Sequence, residues 1–243
     1  MKDTLFKLTR NVCIAKNTYL SVLEGDVSDI SAAGQFVNIK LDGFYLRRPI
    51  SVCDVLDNSL TIIYKAVGAG TEKMSAAKVG EEWLVLTGLG NGYDLTKSGD
   101  TPLLIGGGAG VPPMYYLCKK LIAEGKHPTV ILGFGSKDEI FFEEEFKALG
   151  VKVLITTADG TAGIRGFVTD AMDGIDYTYF YTCGPEPMLK AVYNKSETGG
   201  QFSFEERMGC GFGACMGCTC KTKYGNKRIC RDGPVLEKEE IIW

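Results

Sequence analysis

Five of the nine cysteines of this chain fall between residues 210 and 230: four in the glycine-rich segment Cys210-Gly-Phe-Gly-Ala-Cys215-Met-Gly-Cys218-Thr-Cys220, and then Cys230. Cys210, Cys215, Cys218 and Cys230 read C-x4-C-x2-C-x11-C, and the first three carry the plant-type 2Fe–2S spacing with a distal fourth ligand. A loop that wraps an inorganic core must turn its backbone N–H groups toward sulfur. Gly211, Gly213 and Gly217 allow the close approach this needs. A four-cysteine zinc site would show two C-x2-C pairs, and only Cys215 and Cys218 form one. Cys220 is an alternative fourth ligand, although the distal pattern favours Cys230. Lys221, Lys223, Lys227, Arg228 and Arg231 surround the segment. They would ease reduction of an anionic cluster, or simply form a solvated basic face.

Two further segments have the composition of phosphate and ring sites. Leu103-Leu-Ile-Gly106-Gly107-Gly108-Ala-Gly110-Val-Pro-Pro113 reads as strand, glycine loop and helix start. Proline loses no hydrogen bond in a first turn, and a helix N-terminus behind glycines favours a pyrophosphate. Tight strand–helix packing would need the same glycines. Thr182-Cys183-Gly184-Pro185 ends a second apolar strand, on the edge where such sheets hold ligands. A small polarizable thiol beside glycine leaves room for a flat ring, and a buried small hydrophobe would look the same. Thr71, in Gly68-Ala-Gly70-Thr71, reads as a helix N-cap. His127 is the single histidine and lies in a turn, so no multi-histidine metal site exists.

The elements that must position these residues change texture along the chain. Residues 1–97 alternate apolar and polar in short runs, as in Gln35–Leu41, Ser51–Val55 and Leu60–Val67, which predicts antiparallel strands. With one helix near 71–78 they suggest a small barrel. From Ser98 to Gly200, apolar strands alternate with helices expected near 112–124, 139–149, 166–172 and 185–194. That alternation predicts a parallel sheet covered on both faces. Residues 201–243 open with a strand at Gln201–Phe204 and are otherwise too poor in apolar residues for a core of their own; a metal centre would supply the missing stability. The expected class is therefore α+β and multidomain: barrel 1–97, α/β nucleotide domain 98–200, cluster lobe 201–243.

Composition narrows the function. Net charge is −3 and the pI about 5.4, so no basic field recruits nucleic acid or an anionic membrane. No apolar run approaches a membrane span of roughly 20 residues, and Met1–Phe6 does not resemble a secretory signal. Clustered rather than dispersed cysteines point to ligation in a reducing cytoplasm.

Together these motifs resemble the ferredoxin–NADP reductase superfamily, and within it the electron-transfer subunits of class 1B dihydroorotate dehydrogenase. The resemblance rests on Leu46-Arg-Arg-Pro-Ile-Ser51, Gly68–Thr71, Gly106–Pro112, Cys183-Gly-Pro185 and Glu206-Arg-Met-Gly-Cys-Gly-Phe-Gly-Ala-Cys-Met-Gly-Cys218. It implies FAD contacts at Arg48, Pro49, Ile50, Ser51, Ile63, Tyr64, Lys65, Gly70 and Thr71. Arg48 would fork onto phosphate oxygens, and the Ser51 hydroxyl would face the flavin N5 edge. NAD contacts are implied at Gly106, Gly107, Gly108, Gly110, Cys183 and Gly184, with Cys183 beside the nicotinamide. Ser51 and Cys183 would thus flank hydride transfer. NAD is favoured over NADP because Asp138 and Glu143–Glu145 would repel a 2′-phosphate that Lys137 could meet. The resemblance also implies cluster ligation by Cys210, Cys215, Cys218 and Cys230. The implied partner is an FMN-containing catalytic subunit, two of each chain forming a heterotetramer. Electrons would run from dihydroorotate through FMN, 2Fe–2S and FAD to NAD⁺ in pyrimidine biosynthesis. A related flavin and iron–sulfur subunit serving ferredoxin or a hydrogenase would share every motif.

Overall fold

The computed structural model describes residues 1–243. Its first six strands are β1 Lys2–Ala15, β2 Thr18–Glu24, β3 Phe36–Lys40, β4 Arg48–Leu56, β5 Ser59–Lys65 and β6 Glu82–Leu89. They close into an antiparallel barrel of order β1-β2-β5-β4-β3-β6, which leaves no open edge. Strand alternation sends Leu8, Leu23, Val37, Ile39, Leu60 and Val85 into its fully buried interior. Helix α1, Ala69–Ser75, bridges β5 and β6. Asn11 Nδ2 donates to the carbonyls of Met74, Ser75 and Ala77, collecting acceptors that a helix end leaves free.

The other two parts of the chain pack on the outer face of β3, β4 and β6. Opposite residues of an antiparallel pair share a face. Phe36 stands opposite Ser51, and Asn38 opposite Pro49 and Leu86.

The second part runs β7 Leu103–Gly107, α2 Val111–Ala123, β8 Thr129–Phe134, α3 Glu143–Ala148, β9 Lys152–Thr157, β10 Ile164–Arg165, β11 Phe180–Cys183 and α4 Glu186–Lys195. The third contains β12 Gly200–Ser203, β13 Thr219–Thr222, β14 Gly225–Arg228, α5 Ile229–Asp232 and β15 Val235–Glu237. One seven-stranded sheet has the order β10-β9-β8-β7-β11-β12-β15. Every neighbouring pair in it is parallel except β12 with β15. The order reverses between β7 and β11, which puts a ligand crevice at their carboxyl ends, Gly107 and Cys183. A second core joins all three parts: Phe36, Leu86 and Leu89 from the barrel, Ile105, Phe180 and Phe202 from the sheet, and Cys218, Ile229 and Cys230 from the cysteine segment. That segment thus borrows a core, as its own composition requires.

The observed elements depart from the sequence expectation in four places. Helix α1 begins at Ala69, not 71, and its N-cap is Gly68. Thr71 is an interior residue whose Oγ1 accepts the N–H groups of Val67 and Gly68 at 3.1 and 3.3 Å. The helix expected over 139–149 shortens to Glu143–Ala148 because Phe142 takes a left-handed backbone, φ 65°. No helix forms over 166–172. Gly166 has φ +124°, Asp170 Oδ2 accepts from Phe167 N at 2.7 Å, and the N–H groups of Asp170, Ala171 and Met172 each bond only three residues back. Strand β11 starts at Phe180, not Tyr177. Thr178 is held to the preceding linker instead, its N–H donating to Thr101 O and its hydroxyl to Ser98 O. Residues 201–243 also extend the nucleotide sheet, since β12 spans 200–203 and β15 lies beside it. No helix is long and apolar enough to cross a membrane.

Candidate functional site

A cavity of about 1040 Å³ opens where barrel, sheet and C-terminal segment meet. Strand β4 lines it with Arg48, Pro49, Ile50 and Ser51, the end of β5 with Ile63, Tyr64 and Lys65, and α1 with Thr71. The sheet adds Gly107, Gly110, Cys183 and Gly184. The residues expected from sequence to hold FAD and nicotinamide nucleotide therefore share one cavity, with three exceptions. Gly70 lies behind it, and a Cβ there would stand 2.0 Å from Arg48 Nε; this glycine makes room for the guanidinium. At Gly106 a Cβ would meet Val111 Cα at 2.9 Å, which is strand–helix packing. Gly108, with φ +51°, makes the turn between them.

The two arginines of Arg47-Arg48 have different fates. Arg47 is spent in a bidentate pair with Asp3, both contacts 2.7 Å. Arg48 pairs with no carboxylate; its guanidinium lies 4.6 Å from the Phe44 ring centroid and donates to Leu46 O. It is the cation left for an anionic ligand on β4. Lys65 crosses from the barrel to the sheet, where Nζ meets Glu139 Oε2 at 2.5 Å. The same ammonium lies 4.0 Å from where a Gly108 side chain would begin, so positive charge faces the glycine loop. Tyr64 is buried beside Ser21 and Asn11, and burial pushes its hydroxyl up to about 12.

Helix α2 points its N-terminus at the crevice, with Gly110 as N-cap and Pro112 and Pro113 in the first turn. Its free N–H groups suit a phosphate. A Cβ on Gly110 would stand 2.1 Å from Cys183 O, so the glycine loop and the Cys183-Gly184 turn touch through this one missing side chain. Burial pushes the Cys183 thiol up to about 12, against an opposing hydrogen bond from Ser203. Ser203 is the residue paired with Cys183 across β11 and β12. The neutral thiol is therefore the resting form.

Sequence reasoning did not single out Ser203, Phe204, Phe36 or Trp243, which also line the cavity. The Trp243 indole packs against Phe204 and Tyr193, centroids 5.7 and 6.0 Å apart, and its buried Nε1 has no partner. A terminal aromatic was the one signal available. The other three are brought in by strand register.

The cysteines assort in pairs. Cys210 Sγ accepts N–H groups from Ala214 at 3.2 Å and Cys215 at 3.4 Å. Burial opposes ionisation of Cys210, but these N–H groups outweigh it and lower the thiol to about 6. Cys218 Sγ accepts Cys230 N at 3.4 Å. Burial first, then the Cys218 contact, raises Cys230 to about 12. No three cysteine, histidine or carboxylate side chains converge to hold a single ion. Two pairs suit a binuclear cluster, with two thiolates for each iron, better than a tetrahedral zinc. Cys220 lies on β13 opposite Lys227 and belongs to neither pair. Of the surrounding cations, Lys227 is spent on Glu240 and Arg228 on Asp232.

Residues 205–242 match the family model of the iron–sulfur cluster binding domain of dihydroorotate dehydrogenase B, and residues 104–194 match the oxidoreductase NAD-binding domain. The chain is 44% identical to the dihydroorotate dehydrogenase B (NAD(+)) electron transfer subunit of Shouchella clausii (strain KSM-K16), over 99% of this chain and 98% of that protein. It is 47% identical to the protein of the same name from Fusobacterium nucleatum subsp. nucleatum, over 95% of each. Among solved structures, a chain of the NADH-dependent reduced ferredoxin–NADP oxidoreductase superposes with TM-score 0.90 at 31% identity, over 98% of this chain and 90% of that one. Phthalate dioxygenase reductase shares the fold at TM-score 0.66 and 18% identity, over 79% of this chain and 64% of that one.

Proposed function

The chain belongs to the family of dihydroorotate dehydrogenase B (NAD(+)) electron transfer subunits, and from that premise we propose that it passes electrons taken from dihydroorotate by a catalytic partner subunit to NAD⁺, in pyrimidine biosynthesis. The observation that carries this reading is the single cavity in which Arg48–Ser51, Gly107, Gly110 and Cys183-Gly184 meet, walled by residues that flank the paired cysteines. When bound, FAD converts between the electron pair of NAD(H) and the single electrons that a 2Fe–2S cluster carries.

The chain's own residues supply position and charge. Arg48, free of any carboxylate, holds the flavin phosphates, with Gly70 and Thr71 beside it. Pro49 and Ile50 offer an apolar wall, and the Ser51 hydroxyl a hydrogen bond at the reacting edge. The start of α2 and the loop at Gly107 to Gly110 hold the nicotinamide nucleotide's pyrophosphate, screened by Lys65. Cys183 stays protonated, so it places a small neutral surface against the nicotinamide and adds no charge where hydride moves. Cys210, Cys215, Cys218 and Cys230 would hold the 2Fe–2S cluster through their thiolates. The partner carries FMN, two copies of each chain assemble, and the complex works in the cytoplasm. Service to a different oxidoreductase fits less well, because the structural relative of that kind is 31% identical against 44–47% for the dihydroorotate dehydrogenase relatives.

The test is anaerobic purification with the co-purifying protein. NADH should bleach the bound flavin of this chain alone. Dihydroorotate should reduce NAD⁺ only when the catalytic subunit is present. Bleaching by NADH with no response to dihydroorotate in the complex would refute the pyrimidine assignment.

A further inference from the structure

Asn38 is a poor fit to its surroundings unless it serves the cysteine loop. Its side chain is buried, 1% exposed, on the outer barrel face among Phe36 and Leu86. Nδ2 donates to Cys210 O at 3.4 Å, while Oδ1 is buried with no donor at all. The backbone around it is equally committed. Pro49, opposite on β4, has no N–H to give, and Asn38 O accepts Arg47 Nη1 at 3.4 Å. Across the contact, Gly211 has φ +81°, and a Cβ there would stand 2.3 Å from Asn38 Nδ2. The amide therefore lies directly on the backbone of the first cysteine's loop. A leucine of similar size would fill the site without an orphaned buried oxygen. Asparagine is the less stable choice here.

We infer that Asn38 is a positioning residue, whose side-chain amide fixes the Cys210 loop against β3, the strand hydrogen-bonded to β4 and its flavin contacts. The inference rests on the electron-relay reading of the chain. Asn38 is cross-strand neighbour to Pro49, so Ser51 is its diagonal neighbour on the same face, roughly 7–8 Å away. One side chain thus ties a cluster ligand to the strand paired with the flavin strand.

The experiment compares wild type with Asn38→Leu and Asn38→Asp, each as the anaerobically purified, cofactor-loaded complex. Iron, sulfide and flavin content, melting temperature, the g-values of the reduced cluster and the stopped-flow phases after NADH addition are recorded. Asn38→Leu should keep iron and flavin, keep or raise the melting temperature, and leave flavin bleaching unchanged. Its cluster g-values should shift, and the cluster-reduction phase should slow about tenfold, the weight of one buried hydrogen bond in the docked loop population. Asn38→Asp loses the donor but keeps the shape, and should slow the same phase. Wild-type g-values and a wild-type cluster phase in both variants would overturn the inference. A lowered melting temperature with parallel loss of flavin and iron would reduce Asn38 to a structural role and overturn it as well. Failure of the relay reading is seen separately, as wild-type flavin that NADH does not bleach.

Discussion

Replacing Gly110 by alanine is expected to block reduction of the flavin by NADH while the cysteine loop stays loaded. Gly110 has φ −85° and ψ −6°, a conformation open to any residue, so the backbone itself would not object. The obstacle is space. A Cβ would lie 2.1 Å from Cys183 O, 2.3 Å from Cys183 C and 2.6 Å from Gly184 N. The oxygen would have to retreat to an ordinary contact near 3.4 Å, a shift of about 1.3 Å. All three atoms are backbone, at the end of a strand hydrogen-bonded on both sides, so no rotamer change relieves the clash. Overpacking of this kind costs about 1–3 kcal/mol, each kcal/mol lowering the melting temperature by about 2–4 °C in a chain this long. A displacement near 1 Å between reacting groups can cost about 100-fold in rate. Stopped-flow bleaching of the flavin by NADH reads this directly. The control is Gly108→Ala, where φ is +51° but the nearest atom, Lys65 Nζ, is 4.0 Å away. It should lose about 1–2 kcal/mol of stability and weaken NADH binding, with a much smaller effect on the bleaching rate at saturating NADH. If Gly110→Ala bleaches within threefold of wild type, the contact between glycine loop and Cys183 turn does not set the geometry of transfer.

Three further outcomes are expected. Cys230→Ser should lose the cluster's iron and visible absorbance, and Cys220→Ser should keep both, since only Cys230 pairs with Cys218; the reverse pattern would exchange the two roles. The Cys183 thiol, pushed by burial from an ordinary value near 9 to about 12, stabilises the folded chain fully below pH 9, and that contribution is lost as pH rises toward 12. Flavin bleaching should accordingly show no Cys183-dependent inflection between pH 7 and about 9.5; one near 8–9 that disappears in Cys183→Ser would contradict the buried neutral thiol. Glu139→Gln releases Lys65 to face the glycine loop, and titration calorimetry should show NADH binding roughly twofold to fivefold tighter at low salt, with the gain fading as salt rises. Unchanged affinity at low salt would mean that Lys65 does not reach the ligand.

How much of the fold and site was legible in the sequence depends on the range of the interactions involved. The barrel and parallel sheet follow from local periodicity. The cysteine spacing and the glycine loop are likewise local, and the cavity gathers the residues that these motifs name. What periodicity missed was decided by single residues or by distant partners. Phe142 breaks a helix through a left-handed backbone that its aromatic side chain gives no reason to expect. The run 166–172 has helical composition, but Asp170 caps Phe167 and closes a turn. Ser203 enters the site because β12 pairs in register with β11, and Asn38 because Cys210, far along the chain, folds onto it. No window of sequence contains both members of either pair. The assignment of Thr71 as a cap failed by three residues, because Gly68 takes the extended conformation and the threonine hydroxyl reaches back to it.

Strands β12 and β15 are hydrogen-bonded neighbours, with Ser203 opposite Val235 and Phe204 N donating to Pro234 O at 2.9 Å. Residues 204–234 therefore leave the sheet and re-enter it at nearly the same point. Such an excursion behaves as a cassette on a closed stem. Lengthening it adds only about 0.6 kcal/mol of closure entropy per doubling, provided that Cys218, Ile229 and Cys230 keep their places in the shared core. Opening of the cassette is then a local event, of lower free energy than global unfolding. Mild removal of iron should loosen residues 204–234 while barrel and sheet persist, leaving a chain that still takes hydride from NADH but has no exit for single electrons. The same architecture makes the metal-binding excursion exchangeable, so that one flavin and nicotinamide chassis can be fitted to different electron acceptors by changing a segment whose two ends already meet.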